Sequence, residues 1–282
     1  MTRGRRRRIV NRAMEVVATI AALVAVAVLA IVVISVARRG AGALSWDFFT
    51  KAQALFGQPG GGIANALVGT ALLVLLATGM ALPVGVLTAI YLTEFAPRRL
   101  AVPIQVVIDV LAGLPTIVIG IFVYALLVIG HTQSGYAGAF ALAVIMLPLI
   151  ARATQEVLML VPSTLREAGL ALGVRHWRTV LGVILPSSVG GILTGTVLAV
   201  ARAAGETAPL LFTSSIFANT VQTDVTKALP NIPVLIFTYS EQPDPALHQQ
   251  AWAAALVLMA FVLLASLTAK GLLARSRRKL AR

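Results

Sequence analysis

Thr164-Leu165-Arg166-Glu167-Ala168-Gly169, followed by Gly173 and then by Leu185-Pro186, forms a polar insert between long apolar runs. Pro162-Ser163 lead into it, and Thr164 with Glu167 has the spacing of a capping box. The hydroxyl of Thr164 would accept from the Glu167 amide while the Glu167 carboxylate reaches back to the Thr164 amide. Leu165, Ala168 and Leu172 fall on one face of a short helix. Gly173 is placed to end that helix in a left-handed cap. His176, Trp177 and Arg178 lead into a second helix, and Pro186 marks the entry to the next apolar run. The expectation for 159–179 is therefore helix, turn, and the start of another helix. Polar helices inserted between apolar runs, on the basic side of a membrane, present a surface to a soluble partner.

The runs around this insert set the environment. Apolar residues make up 59% of the 282 residues and charged residues 12%, with a mean hydropathy of +0.92. A soluble core of this length would carry far more polar surface. A hydrocarbon slab of roughly 30 Å needs about 20 residues of helix. Val16 to Ala37 supplies one span and the run from Ile63 a second. Val110 to Ala151 is long enough for two, divided at His131-Thr132-Gln133-Ser134-Gly135; Thr179 to Ala204 and Pro245 to Ala269 complete six. The expected class is all-α, a polytopic helical membrane protein with six transmembrane helices. The first apolar run exceeds a signal-peptide core and lacks a small-x-small cleavage site, so it reads as a retained anchor.

The net charge of +13 follows the same plan. Arg3, Arg5, Arg6, Arg7, Arg8 and Arg12 precede the first span, and Arg98 and Arg99 lie between the second and third. Arg166, Arg175 and Arg178 lie in the polar insert, and Arg275, Arg277, Arg278, Lys279 and Arg282 follow the last span. All four groups share one side if both termini are cytoplasmic, as the positive-inside rule expects. A nucleic-acid partner would want a basic patch on a soluble fold, which this pattern does not provide. The piece from Leu211 to His248 is then external, and its Pro230, Pro233, Pro243 and Pro245 predict irregular chain with short helices.

Several chemistries have no residues to carry them. There is no cysteine, and His131, His176 and His248 are scattered, so neither a catalytic residue nor a metal ligand is assigned. No G-x-x-x-x-G-K-[ST] occurs, so any ATP that drives this chain is bound by another polypeptide. The chain itself is expected to be no enzyme and to bind no cofactor.

One constellation stands inside the membrane. Arg202-Ala203-Ala204-Gly205-Glu206-Thr207-Ala208-Pro209 lies in or near the outer half of the fifth span. An arginine there costs between about 2.5 and more than roughly 10 kcal/mol, which argues for an interior or cavity-facing role. Glu206 is four residues on, within reach of Arg202 on one helical face. The bland reading is an intrahelical ion pair. The functional reading is an anion site, since a guanidinium fork matches two oxygens of a tetrahedral oxyanion. Thr207, with Thr194 and Thr196 earlier on the helix, would add hydroxyls, and Arg152 reads as an anchor at the inner end of the fourth span.

The insert resembles the EAA loop of ABC importer permeases: Glu167-Ala168-Gly169, three residues, Gly173, nine residues, then Val183-Ile184-Leu185-Pro186. Gly169 stands where that motif has Ala. The stretches Ile63 to Thr70, Leu82-Pro83-Val84-Gly85, Tyr91-Leu92-Thr93-Glu94, Leu111 to Gly120 and Gly190 to Leu211 resemble the PstA family, the A-type permeases of the phosphate-specific transport system. That resemblance implies a type I ABC importer permease fold in a bacterial cell membrane. It implies a homologous second permease, an ATP-binding-cassette ATPase dimer that uses the ATP, an extracytoplasmic phosphate-binding protein, and no nucleic acid. It assigns Glu167, Ala168, Gly169, Gly173, Leu185 and Pro186 to ATPase coupling, and Arg202 and Glu206 to the substrate path, which Thr207 joins on the strength of its hydroxyl. The organisation expected is a basic tail over 1–15, an anchor helix over 16–37, and a permease core over 60–274 with the coupling loop at about 159–186. A second basic tail covers 275–282. A sulfate or molybdate permease is the alternative; a secondary transporter would leave the polar insert unexplained.

Overall fold

The computed structural model describes residues 3–54 and 60–280. Gln58 and Pro59, shortly before the second expected span, lie outside them. The described chain is helical: α1 (Arg3–Gly40), α2 (Trp46–Thr50), α3 (Ala64–Ile90), α4 (Arg98–Gly113), α5 (Thr116–Leu127), α6 (Gly135–Met159), α7 (Ser163–Ala171), α8 (His176–Thr179), α9 (Leu185–Ala203), α10 (Ala208–Thr213), α11 (Ile232–Ser240) and α12 (Pro245–Leu280). Two π-helical turns, Tyr91–Phe95 and Val180–Ile184, close α3 and open α9. Pro186 explains the second: it has no N–H for the carbonyl four residues back. Leu185 instead donates to Val180, five residues back.

Among the described residues, five helices are long and apolar enough to cross a membrane, and the count reaches six only if α4 and α5 together form one crossing. The third of the six expected spans is thus not a straight helix. Its two halves meet at 102°, because Pro115 disfavours helical backbone at Leu114. Leu114 and Pro115 are both extended, with ψ of 138° and 130°. Ser134 caps α6 by accepting from the Ala137 amide at 3.2 Å, which makes the polar break after the third run a helix start.

Small residues bring the central helices together, as packing without a hydrophobic gradient requires. Ala77 and Ala81 of α3, Ala139 and Ala143 of α6, and Ala199 and Ala203 of α9 share one cluster with Leu73, Leu142, Met146 and Ile150. Gly191 of α9 rides over Val157 of α6, and Gly195 over Ala153, so the two helices run antiparallel in a fixed register. Outside this core, α1 begins at Arg3, so the basic segment expected as a tail over 1–15 continues the anchor helix. The guanidinium of Arg39 lies 4.8 Å over the Trp252 ring, Val36 and Ala37 are half-buried, and the apolar length from Val16 to Ile34 is exposed. The piece after α9 holds two short helices, α10 and α11, as its prolines predict. Its chain is tied down by Ser214, whose hydroxyl accepts from Leu229 N at 2.8 Å, and by Asn231, which donates to Ser214 O at 2.9 Å.

Candidate functional site

The residues singled out in the sequence fall into two groups at opposite ends of α9. At 1.5 Å per residue, Pro186 and Arg202 stand about 24 Å apart along it.

At the N-terminal end of α9, α7 and α8 form the expected helix–turn–helix. The capping box does not form. Pro162 precedes a helix that already begins at Ser163, with no side-chain cap, so Thr164 lies inside the first turn and its hydroxyl is no longer at the capping position. The other end matches the prediction. Gly173 has φ +69°, Val174 N donates to Gly169 O at 3.0 Å, and Gly173 N donates to Leu170 O at 2.9 Å. These two bonds make a Schellman cap, which favours glycine at its left-handed position. The motif departure at Gly169 also has a cause. A Cβ there would stand 2.5 Å from Thr179 Oγ1 and 2.7 Å from its Cγ2, so only glycine lets α8 lie this close to α7. Glu167, Ala168 and Pro186 are exposed and Leu185 is half-buried. Leu165, Leu170, Leu172 and Trp177 expose apolar surface around them.

A buried ion pair beneath this loop escaped the sequence reading. Arg166, expected only as a positive-inside charge, inserts its guanidinium under α7. Its Nε donates to both carboxylate oxygens of Glu94 at 3.2 and 3.1 Å, and Nη2 donates to Oε1 at 2.6 Å. The same group donates to the carbonyls of Val161 at 2.8 Å and Leu158 at 3.0 Å, the frayed C-terminal end of α6. The Glu94 side chain is 2% exposed, and its hydrogen bonds hold the Arg166 guanidinium above its usual, already high, range. His176 Nε2 lies 3.1 Å from Glu94 O. Glu94 and Arg166 are 72 positions apart, so no local periodicity pairs them.

At the other end, Arg202 occupies the last turn of α9. Continuing the register of Gly195 over Ala153 places it level with residue 146, about 16 Å in from the start of α6. The bend between α4 and α5 comes to the same level: Leu111, Leu114, Thr116, Ile145, Leu149 and Arg202 line one small cavity. Arg202 Nε lies 3.7 Å from Glu206 Oε1, with the side chains 58% and 15% exposed. The two do not share a helical face, because α9 ends at Ala203; Glu206 reaches Arg202 from the turn that follows. Pro209 accordingly does not end the helix but opens α10. Thr207 precedes α10 without a side-chain capping bond and is half-buried. Thr194 and Thr196 are not available as donors, since their hydroxyls bond Gly190 O at 2.8 Å and Ile192 O at 2.9 Å within the helix. Arg152 is more than an anchor: it pairs with Asp109 of α4, roughly 9 Å nearer the α7–α8 loop than Arg202 on the same register.

Among the described residues, no three His, Asp or Glu gather where they could hold a metal ion. The profile of the binding-protein-dependent transport system inner membrane component matches residues 81–280. The phosphate transport system permease protein PstA of Yersinia pestis is 40% identical over 87% of this chain and 84% of its own length. That of Xylella fastidiosa is 38% identical over 97% and 96%, and that of Haemophilus influenzae 41% over 80% of each. In fold, the chain is similar to the MetNI methionine ABC transporter in an inward-facing conformation, with TM-score 0.60 at 17% identity over 76% of this chain and 95% of that one. An amino acid ABC transporter gives 0.55 at 18% identity over 77% and 92%. By sequence and by fold, then, the chain belongs to the binding-protein-dependent transport system inner membrane components, as a PstA-type permease.

Proposed function

We propose that this chain is the permease subunit of an ATP-driven phosphate importer, with both termini cytoplasmic. A homologous second permease completes the path, an ATP-binding-cassette ATPase dimer docks on the α7–α8 loop, and an extracytoplasmic phosphate-binding protein delivers substrate. The observation that carries the reading is Arg202. A guanidinium 58% exposed, midway along a helix bundle, cannot face lipid without a large penalty, and facing the second permease it lines a path. Phosphate carries one to two charges near neutral pH and cannot cross low dielectric uncompensated. The fork of Arg202 supplies paired donors, and Glu206, a weak partner at 3.7 Å, can exchange with the anion. Thr207 adds a hydroxyl at the same turn. Glu167, Ala168, Gly169, Gly173, Leu185 and Pro186 shape the docking loop and its passage into α9. The names of the relatives favour phosphate over sulfate or molybdate.

The test is uptake of radiolabelled phosphate by the assembled complex in proteoliposomes, with sulfate and molybdate as competitors. Uptake that needs ATP and the binding protein, and resists both competitors, is expected. Uptake that either competitor abolishes would transfer the reading to that oxyanion. For the topology, single cysteines at Gly61 and Gln242 should label from outside in intact cells, and one at Arg277 only after permeabilisation; outside labelling at 277 refutes it.

A further inference from the structure

Beneath the docking loop, one carboxylate gathers four pieces of chain. Glu94 sits in the π-helical turn that closes α3, its side chain 2% exposed. Arg166 of α7 grips it through three contacts and at the same time donates to Leu158 O and Val161 O at the end of α6. His176 of α8 approaches the Glu94 carbonyl at 3.1 Å and Oε2 at 3.6 Å, and its ring packs edge-on to Phe95 with centroids 5.2 Å apart. On the other side α7 is held to α8 by the close approach of Gly169 and Thr179.

We propose that Glu94 and Arg166 form a joint that stays closed through the transport cycle, making the docking loop one rigid body with the inner ends of α3 and α6. They are positioning residues: they touch no substrate, and they decide which spans move when the loop moves. The inference rests on the importer reading above. Its physical basis is that any rotation of α7 against α3 or α6 must break the fork and the carbonyl bonds together. Such a rotation would strand a carboxylate away from water, the costliest way to lose a pair. A surface ion pair could slide or exchange with solvent; here Glu94 is 2% exposed, and the neighbouring His176 at 3.6 Å belongs to the same loop as Arg166. Loop displacement is therefore passed to α3 and α6 without slack, and coupling needs discrete bodies of this kind.

The experiment measures phosphate uptake per ATP hydrolysed by the assembled complex, at matched membrane levels. Two variants avoid orphaning a buried charge. Arg166→Lys keeps the charge and loses the fork, and Glu94→Gln/Arg166→Gln removes both charges at once. Uptake per ATP is expected to fall about tenfold in the double variant and by a smaller factor in the lysine variant, the range of strongly coupled pairs. Hydrolysis should persist in both. An unchanged ratio in the double variant overturns the joint while leaving the importer reading intact; a parent complex in which ATP drives no uptake overturns both. An independent arm uses the absence of native cysteine. Phe95→Cys/His176→Cys is bridged with a short cleavable dithiol-reactive linker, with the unbridged variant as reference. Bridged complexes should transport like the reference, since nothing there needs to open. Loss of uptake on bridging, restored by cleaving the linker, shows a joint that opens and overturns the proposal.

Discussion

Two arginine–glutamate pairs among the described residues, one at each end of the path from loop to membrane interior, are built to opposite specifications. Arg166–Glu94 is bidentate, backed by two carbonyls and almost dry, with side chains 22% and 2% exposed. Arg202–Glu206 is a single approach at 3.7 Å, with the arginine 58% exposed. A planar fork satisfied on every side is a structural fastener. The same fork, loosely held beside a cavity, keeps donors free, as the proposed anion site requires. On that proposal identical chemistry performs two tasks, and what separates them is how many partners the protein supplies and how much water reaches them.

The sharpest way to break this contrast is thermal unfolding of the purified chain in detergent. Arg166→Gln leaves Glu94 buried and unpaired and is expected to cost about 3–5 kcal/mol. Glu206→Gln, at the wetter pair, should cost less than about 1 kcal/mol. Equal losses would mean that the two pairs are the same kind of object.

Next comes substrate passage. Arg202→Ala should lower phosphate uptake more than about 100-fold, the loss of roughly 3 kcal/mol from charge-assisted bonds. Arg202→Lys keeps the charge without the fork and should remain severely impaired. Glu206→Gln should alter the rate of uptake while the complex still assembles. Parent-like uptake by Arg202→Ala at matched membrane level would make the outer pair structural as well, and would place the anion site elsewhere.

What the sequence revealed follows the range of the forces involved. Apolar runs are local, so the spans were legible, and so was the Gly173 cap, whose left-handed geometry has a residue signature. The Leu114-Pro115 break was also written locally: a proline forbids helix at its predecessor, but the apolar run around it masked the bend. The capping box failed for a local reason too, since Pro162 lets the helix start two residues early. Beyond local range the reading thinned. Glu94 with Arg166 and Asp109 with Arg152 meet only when helices pack, and no local pattern pairs them. Helix periodicity placed Arg202 and Glu206 on one face, and the structure brings them together by a turn instead.

Of intermediate size are the effects at the loop's two glycines, which sharpen the contrast at its dry end. Gly173→Val forces a β-branched residue to φ +69° and should cost about 2 kcal/mol, against about 1 for Gly173→Ala. Gly169→Val must displace Thr179, whereas Gly169→Val with Thr179→Ala should recover part of the loss, because the clash is with that side chain. Uptake is the measurement. Full activity of Gly173→Val would show that the cap tolerates another geometry and that the loop is less rigid than its bonds suggest.

The smallest effect tests the wet end. Thr207 precedes α10 yet makes no side-chain cap, so its hydroxyl satisfies none of that helix's free N–H groups. Replacing it by valine keeps the shape and the β-branch while removing the one donor. If the hydroxyl serves only the fold, neither stability nor uptake has a reason to change. If it meets the anion beside Arg202, uptake should fall by up to about tenfold, roughly 1 kcal/mol for one hydrogen bond, with the melting temperature unmoved. Thr194→Val supplies the comparison: its hydroxyl is already engaged by Gly190 O at 2.8 Å, and uptake should stay near parent level. Should the two variants behave alike, Thr207 leaves the substrate path, and Arg202 with Glu206 must hold the anion unaided.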